Sequence, residues 1–325
     1  MKKLCVLIPT QDRAELIESY LENRIDDLES YNIDLIIYDS SENDATEIIV
    51  TRQSNVHKNI KYRRFINDGR KNKGAVALEE CSKLYEYVWL VGDRIMLNVV
   101  TLYTQIEKAM SGQYDLIHVY KNKYGIETGE FTDICSFFYS FGWSMTHYGA
   151  FIISSKLALW IADRLADKDY ILKTKVFLIQ MAIFHYLSEF PAKIFYIHES
   201  LFTPTPNPLN VKGSEISEKR VLQTWTKGWV NSINGLPSVY DPAKSFVMKS
   251  LSDNIGFFSY YGVTRSRLDG NLTWRKVYQY REYIKQVTDT KLIWFYLVSA
   301  TPASFLSLAL KAYYFVKRGL KRCIY

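Results

Sequence analysis

The chain has no glycine-rich phosphate loop. No G-x-G-x-x-G follows its first apolar run, which argues against a dinucleotide fold, and no Walker loop occurs anywhere. Its four cysteines (Cys5, Cys81, Cys135, Cys323) are widely separated, with neither metal-ligand nor redox spacing. Reduced thiols in a cytosolic chain are the expected state. Met1 to Pro9 is too short for a secretory leader and runs straight into a strand. No internal repeat or low-complexity stretch is present. A basic excess is also missing from most of the chain. Residues 271–325 hold ten Lys or Arg against two Asp or Glu, out of totals of 41 and 34, which leaves 31 against 32 before residue 271. Partners that need positive charge therefore belong to the C-terminus.

What is present is a large apolar fraction, 48% of 325 residues, enough for one large core with appendages or for two domains. Short apolar runs alternate with amphipathic stretches. Strands are expected at Lys3–Ile8, Asp34–Tyr38, Ile60–Ile66, from Tyr87, and at Asp115–Tyr120. Helices are expected at Gln11–Arg24, from Asp44, at Asn72–Tyr85 and from Asn98. This β-α-β-α order implies a parallel sheet with right-handed crossovers. Further on, strands are expected at Phe137–Phe141, Gly149–Ser154 and Lys193–Ile197, with helices at Lys156–Leu165 and Lys175–Leu187. The breaker T-P-T-P-N-P (Thr203–Pro208) marks a boundary. The expected domains are 1–205, mostly parallel α/β, and 206–325, all helical.

The run Y-V-W-L-V-G-D, Tyr87 to Asp93, is the most informative stretch. A buried strand stops abruptly at Gly92-Asp93-Arg94. Open α/β sheets bind ligands beyond the carboxyl ends of their strands. A carboxylate there can hold a divalent ion and, through it, a diphosphate. Two more strand ends carry polar groups, Pro9-Thr10-Gln11-Asp12-Arg13 and Asp39-Ser40-Ser41-Glu42-Asn43-Asp44. A parallel sheet points all three to one edge. Asp12 with Glu15, and Asp44 with Glu47, also fit capping boxes.

These segments resemble family 2 glycosyltransferases, which have the GT-A fold. V-L-I-P-T-Q-D-R is similar to their opening strand. D-S-S-E-N-D-A-T (Asp39–Thr46), N-K-G-A-V-A-L (Asn72–Leu78) and W-L-V-G-D-R-I-M-L (Trp89–Leu97) resemble three later motifs in the family's order. The resemblance covers about residues 3–98 well and 149–200 loosely. It implies a GT-A-like, Rossmann-type, mostly parallel sheet flanked by helices. It also implies nucleoside contacts from Thr10 and Asp39, with Arg13, Arg70 and Lys73 toward ribose and diphosphate; Pro9 and Asp12 are further candidate donor-binding residues. Gly92, Asp93 and Arg94 would form the diphosphate corner, with Mn2+ or Mg2+ on Asp93. The chain departs from the family by having one carboxylate where the motif repeats aspartate, with Arg94 beside it. It also lacks the Glu-Asp pair that supplies the acceptor base. Asp169 is the nearest acidic candidate, His147 could line the acceptor pocket, and Asp133 and Glu199 are further options.

The tail completes the expectation. Leu292–Leu310 is free of charge between Lys291 and Lys311, and Thr301-Pro302 reads as the start of a new helix. On that helix Phe305, Leu308, Ala309, Ala312, Tyr313 and Val316 share a face opposite Lys311, Arg318 and Arg322. Such a helix suits a membrane interface, or packing on the core or on another subunit in a homo-oligomer. The reading is a cytoplasmic inverting hexosyltransferase, peripheral at the inner membrane face. It would move sugar from a nucleotide donor, UDP first, to a lipid-linked or cell-surface glycan of the capsule or cell-wall kind. The alternatives are a non-catalytic relative acting as partner or scaffold and, third, a nucleotidyltransferase. Nucleic acid is not an expected partner, because the basic excess is confined to an aromatic, amphipathic tail.

Overall fold

The computed structural model describes residues 2–66, 72–174, 176–201 and 221–311. Arg70, the Thr203–Pro208 breaker and the tail beyond residue 311 lie outside the described residues. The chain divides into two compact units, one of Met1–Val211 with Leu236–Val239 and one of Lys212–Gly235 with Tyr240–Tyr325.

The first unit holds one eight-stranded sheet in the order β3-β2-β1-β4-β7-β5-β8-β6. The strands are β1 (Lys2–Thr10), β2 (Asp34–Asp39), β3 (Ile60–Arg64), β4 (Tyr85–Leu90), β5 (Leu116–Val119), β6 (Gly129–Phe131), β7 (Phe151–Ser154) and β8 (Ile194–Ile197). β3, β2, β1 and β4 run parallel, and so do β5 and β8. β7 is inserted antiparallel between β4 and β5, and β6 is antiparallel to β8. The sheet is thus mixed, with the expected parallel half intact.

The parallel strands are buried on both faces, which is why they read as unbroken apolar runs. Leu4, Val6, Ile8, Leu35, Ile37, Trp89 and Val91 form one core with Ile17, Tyr20 and Leu21 of α1 (Ala14–Ser30) and Leu102 and Ile106 of α4 (Val99–Ser111). On the alternate positions, Cys5, Leu7 and Leu90 are also buried. There α3 (Lys73–Leu84) and α6 (Ser155–Ala166) pack on each other and on β1 and β4. At the amino edge the fully buried Asp34 accepts from Lys2 (2.8 Å) and Tyr85 (2.6 Å) and pairs with Lys61 (2.8 Å), which ties the starts of β1 to β4 together.

Three elements differ from expectation. Phe137–Phe141 is helical, within α5 (Ile134–Phe141). Asp133 caps this helix, accepting from the Cys135 amide at 3.1 Å and the Ser136 amide at 2.9 Å, and Phe137, Phe138 and Phe141 bury one helical face. The aromatic content imitated a strand, but the cap and the i, i+1, i+4 spacing decide for helix. Strand β6 and helix α7 (Lys168–Thr174) were not anticipated, being three and seven residues long. The remaining helices of this unit are α2 (Ala45–Ser54) and α8 (Leu178–Glu189).

The described residues of the second unit after 240 are helical apart from short turns. Residues 241–255, 260–268, 274–287 and 292–300 form helices, and a further one follows over 303–311. Among the described residues no single helix is long and apolar enough to cross a membrane. The pair 292–300 and 303–311 passes the length and composition test together, bent by 109°.

Candidate functional site

Strand register assembles the site. β1 and β2 pair Thr10 with Asp39, and β2 and β3 pair Asp39 with Arg64, so the carboxyl ends form one row. β4 ends one residue short of Val91, whose amide still bonds Leu7, and the chain then turns through Gly92 to deliver Asp93 beside Thr10. A Cβ at Gly92 would make ordinary van der Waals contact with Tyr148 Cβ at 3.5 Å and Ile95 Cδ1 at 3.6 Å.

Asp93 is buried and well supplied with donors. Arg13 Nη1 donates to both carboxylate oxygens, at 2.8 and 3.0 Å, and the Thr10 hydroxyl donates to one of them at 3.2 Å. Lys73, the first residue of α3, reaches over β1 to donate to the Thr10 carbonyl (3.2 Å) and the Ser40 hydroxyl (2.8 Å). Burial lowers the Lys73 pKa and outweighs the opposing pull of Asp39 and Asp93. Asn72 sets this helix start by accepting from the Ala75 amide at 3.2 Å. Arg13, Lys73, Asp93 and the Thr10 and Ser40 hydroxyls therefore share one sheet edge.

Asp39 sits differently from its neighbours. It is fully buried, and its carboxylate accepts from the Ser41 amide (2.9 Å) and hydroxyl on one oxygen and from Tyr62 (3.0 Å) on the other. Its direct task in the free protein is to shape the Ser40–Ser41 turn. That turn takes the Asp12 amide onto Ser41 Oγ at 2.8 Å, with Asp12 in the left-handed region at φ 53°. Neither expected capping box forms. Arg13 occupies the N-cap of α1 without a side-chain cap bond, and Asp44 and Glu47 both accept from Arg64, at 2.8 and 2.7 Å.

Two clefts open at this edge. One, of about 510 Å³, is lined by Pro9, Arg13, Lys73, Gly92 and Asp93 and walled by Tyr148, Leu165 and Val176–Ile179. The other, of about 760 Å³, lies over Gln11, Ser40, Ser41, Arg64, Phe65 and Lys73. Asp12 lines a smaller hollow with Arg13, Asn43 and Ala45. Of the residues singled out from sequence, Pro9, Thr10, Asp12, Arg13, Asp39, Lys73, Gly92 and Asp93 come together, and Arg94 is exposed just beyond them. His147 is half-buried with its ring edge-on to Trp143 at 5.6 Å, and burial lowers its pKa; Tyr148, its neighbour, lines the cleft instead. Asp169 is exposed on α7 and lines neither large cleft. The start of α8, facing the first cleft, is Phe177-Leu178-Ile179, without an acid.

Tyr62 and Arg64 were not among the residues singled out from the sequence. The available signal was the alternation Tyr62-x-Arg64 on β3, which sends both side chains to one face next to Asp39.

A divalent ion has Asp93 and the Thr10 hydroxyl to bind at this edge. Magnesium-type ions use one or two carboxylates and complete their shell with substrate phosphates and water. The residues fit such an ion when it is shared with a diphosphate.

No family model and no curated protein matches the sequence. The fold does match solved glycosyltransferase structures. Residues 1–349 of S. aureus TarS align with a TM-score of 0.50 at 14% identity, covering 91% of this chain and 90% of that one. The same region in complex with UDP gives 0.50 at 15% identity, with the same coverage. A mannosyltransferase from Pyrobaculum calidifontis, solved with GDP-Man and Mn2+, gives 0.45 at 14% identity over 92% of this chain and 86% of that chain. The chain has a GT-A-type fold, on the strength of the TarS matches, and at such identity the likeness speaks of fold alone.

Proposed function

We propose that the chain is a nucleotide-sugar-dependent glycosyltransferase of the family 2 kind, with its donor diphosphate at the carboxyl edge of β1, β2 and β4. One observation carries this: Thr10 and Arg13 bond Asp93, and Lys73 bonds Thr10 and Ser40 next to them, beside two adjoining clefts. The cleft over Ser40, Ser41 and Arg64 has the polar lining a nucleoside needs. Arg13 and Lys73 supply positive charge for phosphate oxygens. Mn2+ or Mg2+ held by Asp93 would supply the charge that stabilises a departing diphosphate. UDP is the first donor nucleotide to test, since the TarS structure of the same fold was solved with it.

The acceptor proposed is a lipid-linked or cell-surface glycan, reached from the cytoplasmic face of a membrane. The exposed apolar residues Ile293, Leu297, Phe305 and Leu308 on the bent helix pair support a surface contact. A hexosyl transfer with inversion requires a group that takes the acceptor proton; Asp169 and His147 remain the candidates for that role. A second reading, a non-catalytic donor-binding partner, is favoured by the apolar start of α8 next to the first cleft.

Binding of UDP-, GDP-, CMP- and dTDP-sugars to the purified protein, with and without manganese, tests the proposal. One nucleotide class should bind, and Asp93→Asn should abolish most donor turnover while leaving the fold intact. Full activity of Asp93→Asn in EDTA would remove the metal from the account. Donor binding without either hydrolysis or transfer would favour the non-catalytic reading.

A further inference from the structure

We infer that Arg13 is a built-in counter-ion that keeps Asp93 closed to metal in the free protein, so that a divalent cation enters only together with a nucleoside diphosphate. The inference rests on the donor site proposed above.

A carboxylate offers about four lone-pair directions. Three of those on Asp93 are taken, two by Arg13 Nη1 and one by Thr10. The Asp93 side chain is only 7% exposed, and its partner Arg13, at 28%, is the more open of the two to the cleft that both line. A cation arriving alone would therefore have to displace a guanidinium from a sheltered carboxylate. It would also approach the Lys73 ammonium, which lies close enough to feel Asp93, Asp39 and Arg13. Displaced Arg13 would give up both of its bonds to Asp93.

A diphosphate changes each of these conditions. Its oxygens match the guanidinium fork, so Arg13 gains a partner as it leaves Asp93. Its negative charge offsets the arriving ion, and its oxygens fill coordination positions that the protein does not. Metal and diphosphate should thus bind with positive coupling, and linkage requires the effect to be equal in both directions. Arg13 acts through Asp93, as a positioning residue for the ion.

Manganese binding to the full chain, read by the electron paramagnetic resonance of free Mn2+, tests this with wild type, Arg13→Gln and Asp93→Asn. UDP and GDP serve as diphosphate probes, and circular dichroism verifies folding. Asp93→Asn subtracts any ion held at the surface group of Asp26, Glu29 and His57, whose ligand atoms lie within 4.8 Å of one another. For the wild type, Asp93-dependent Mn2+ binding should tighten about ten-fold or more when the diphosphate is present, within the usual range of coupling. In Arg13→Gln, Mn2+ alone should bind several-fold tighter than to wild type, and the coupling should shrink. Equal Mn2+ affinity in wild type with and without diphosphate overturns the inference, as does unchanged or weaker Mn2+ binding by folded Arg13→Gln. So does a diphosphate-dependent gain in Mn2+ binding that survives intact in Asp93→Asn. If neither UDP nor GDP binds under any condition, the donor-site proposal fails first; if either binds without regard to manganese, only the counter-ion role of Arg13 fails.

Discussion

A buried carboxylate survives only among donors, and Asp34, Asp39 and Asp93 show three uses of that rule. At Asp34 burial would raise the pKa, but hydrogen bonds from Lys2, Lys61 and Tyr85 overcome it and the net shift is downward. At Asp39 the donors are its own turn and Tyr62, so Asp39→Ala should do two things. It should cost about 1–3 kcal/mol of stability, by stranding Ser41 and Tyr62, and it should weaken nucleotide binding by distorting the Ser40–Ser41 turn. Tyr62→Phe separates the two effects. It frees one Asp39 oxygen and keeps the turn, so calorimetry should show nucleotide affinity kept or improved; a loss as large as that of Asp39→Ala would mean that Tyr62 itself meets the ligand. Burial also sets the state of His118, whose pKa is pushed down to about 3. The Ser144 hydroxyl donates to the Phe141 carbonyl, so His118 Nε2 donates to Ser144 Oγ at 3.0 Å and the ring is neutral. An unfolded histidine titrates near 6.5, about where proton uptake begins to favour the unfolded chain. The stability that neutral His118 contributes is complete above that pH and is lost as pH falls from there toward about 3. His118→Gln should flatten the pH dependence of urea unfolding across this window; an unchanged slope would show that the ring is not responsible.

Elements were readable where length and burial agreed. The parallel strands β1, β2 and β4 announced themselves as apolar runs, and because parallel strands end together, Thr10, Asp39 and Asp93 could be placed at one edge from sequence. Their cross-strand partners could not, since Tyr62 reaches Asp39 only through the β2–β3 register. α5 differs because a buried aromatic segment has the composition of a strand, and only the Asp133 cap and the spacing of Phe137, Phe138 and Phe141 distinguish it. Two glycines show where the backbone leaves no choice. Gly149 holds φ +95°, gives its carbonyl to Trp89 Nε1 at 2.7 Å, and lies between β4 and β7. Gly149→Ala should cost about 1–2 kcal/mol from backbone strain, measured as a shift in the denaturant midpoint. Gly262 has no room for a Cβ, which would overlap the Gly256 carbonyl oxygen and stand 2.6 Å from that of Phe257. Gly262→Ala should destabilise by about 1–3 kcal/mol. A thermal midpoint equal to wild type would show that the turn at 256–259 gives way without cost.

At the scale of the molecule, chemistry and charge lie far apart in the chain, the sheet edge before residue 100 and the basic excess after residue 270. A cut before Lys291 would remove the helix over 292–300, in which Phe295 and Val298 are buried and the Tyr296 ring lies tilted against Trp274 at 4.5 Å. A stop after Thr301 spares that packing and removes Phe305, Leu308 and the last basic residues. The shortened protein should leave anionic vesicles while keeping donor binding, and high salt should weaken attachment of the full chain, since screening shortens the reach of Lys and Arg. Equal sedimentation of both forms with vesicles would rule out the surface contact, and a change from oligomer to monomer would assign the tail to subunit packing. The sequence showed the tail's two-faced periodicity but not which faces are covered.

The central claim is that the edge formed by Thr10, Arg13, Lys73 and Asp93 holds a nucleoside diphosphate. Calorimetric titration of UDP, in manganese, into wild type and Lys73→Met tests it most directly. Lys73 touches the Thr10 carbonyl and Ser40 and belongs to no core cluster, so its loss should spare the fold. Wild type should bind, and the variant should lose about 1.5–3 kcal/mol, the worth of a hydrogen bond to a charged group. Equal affinity of the two folded proteins for UDP would contradict the claim.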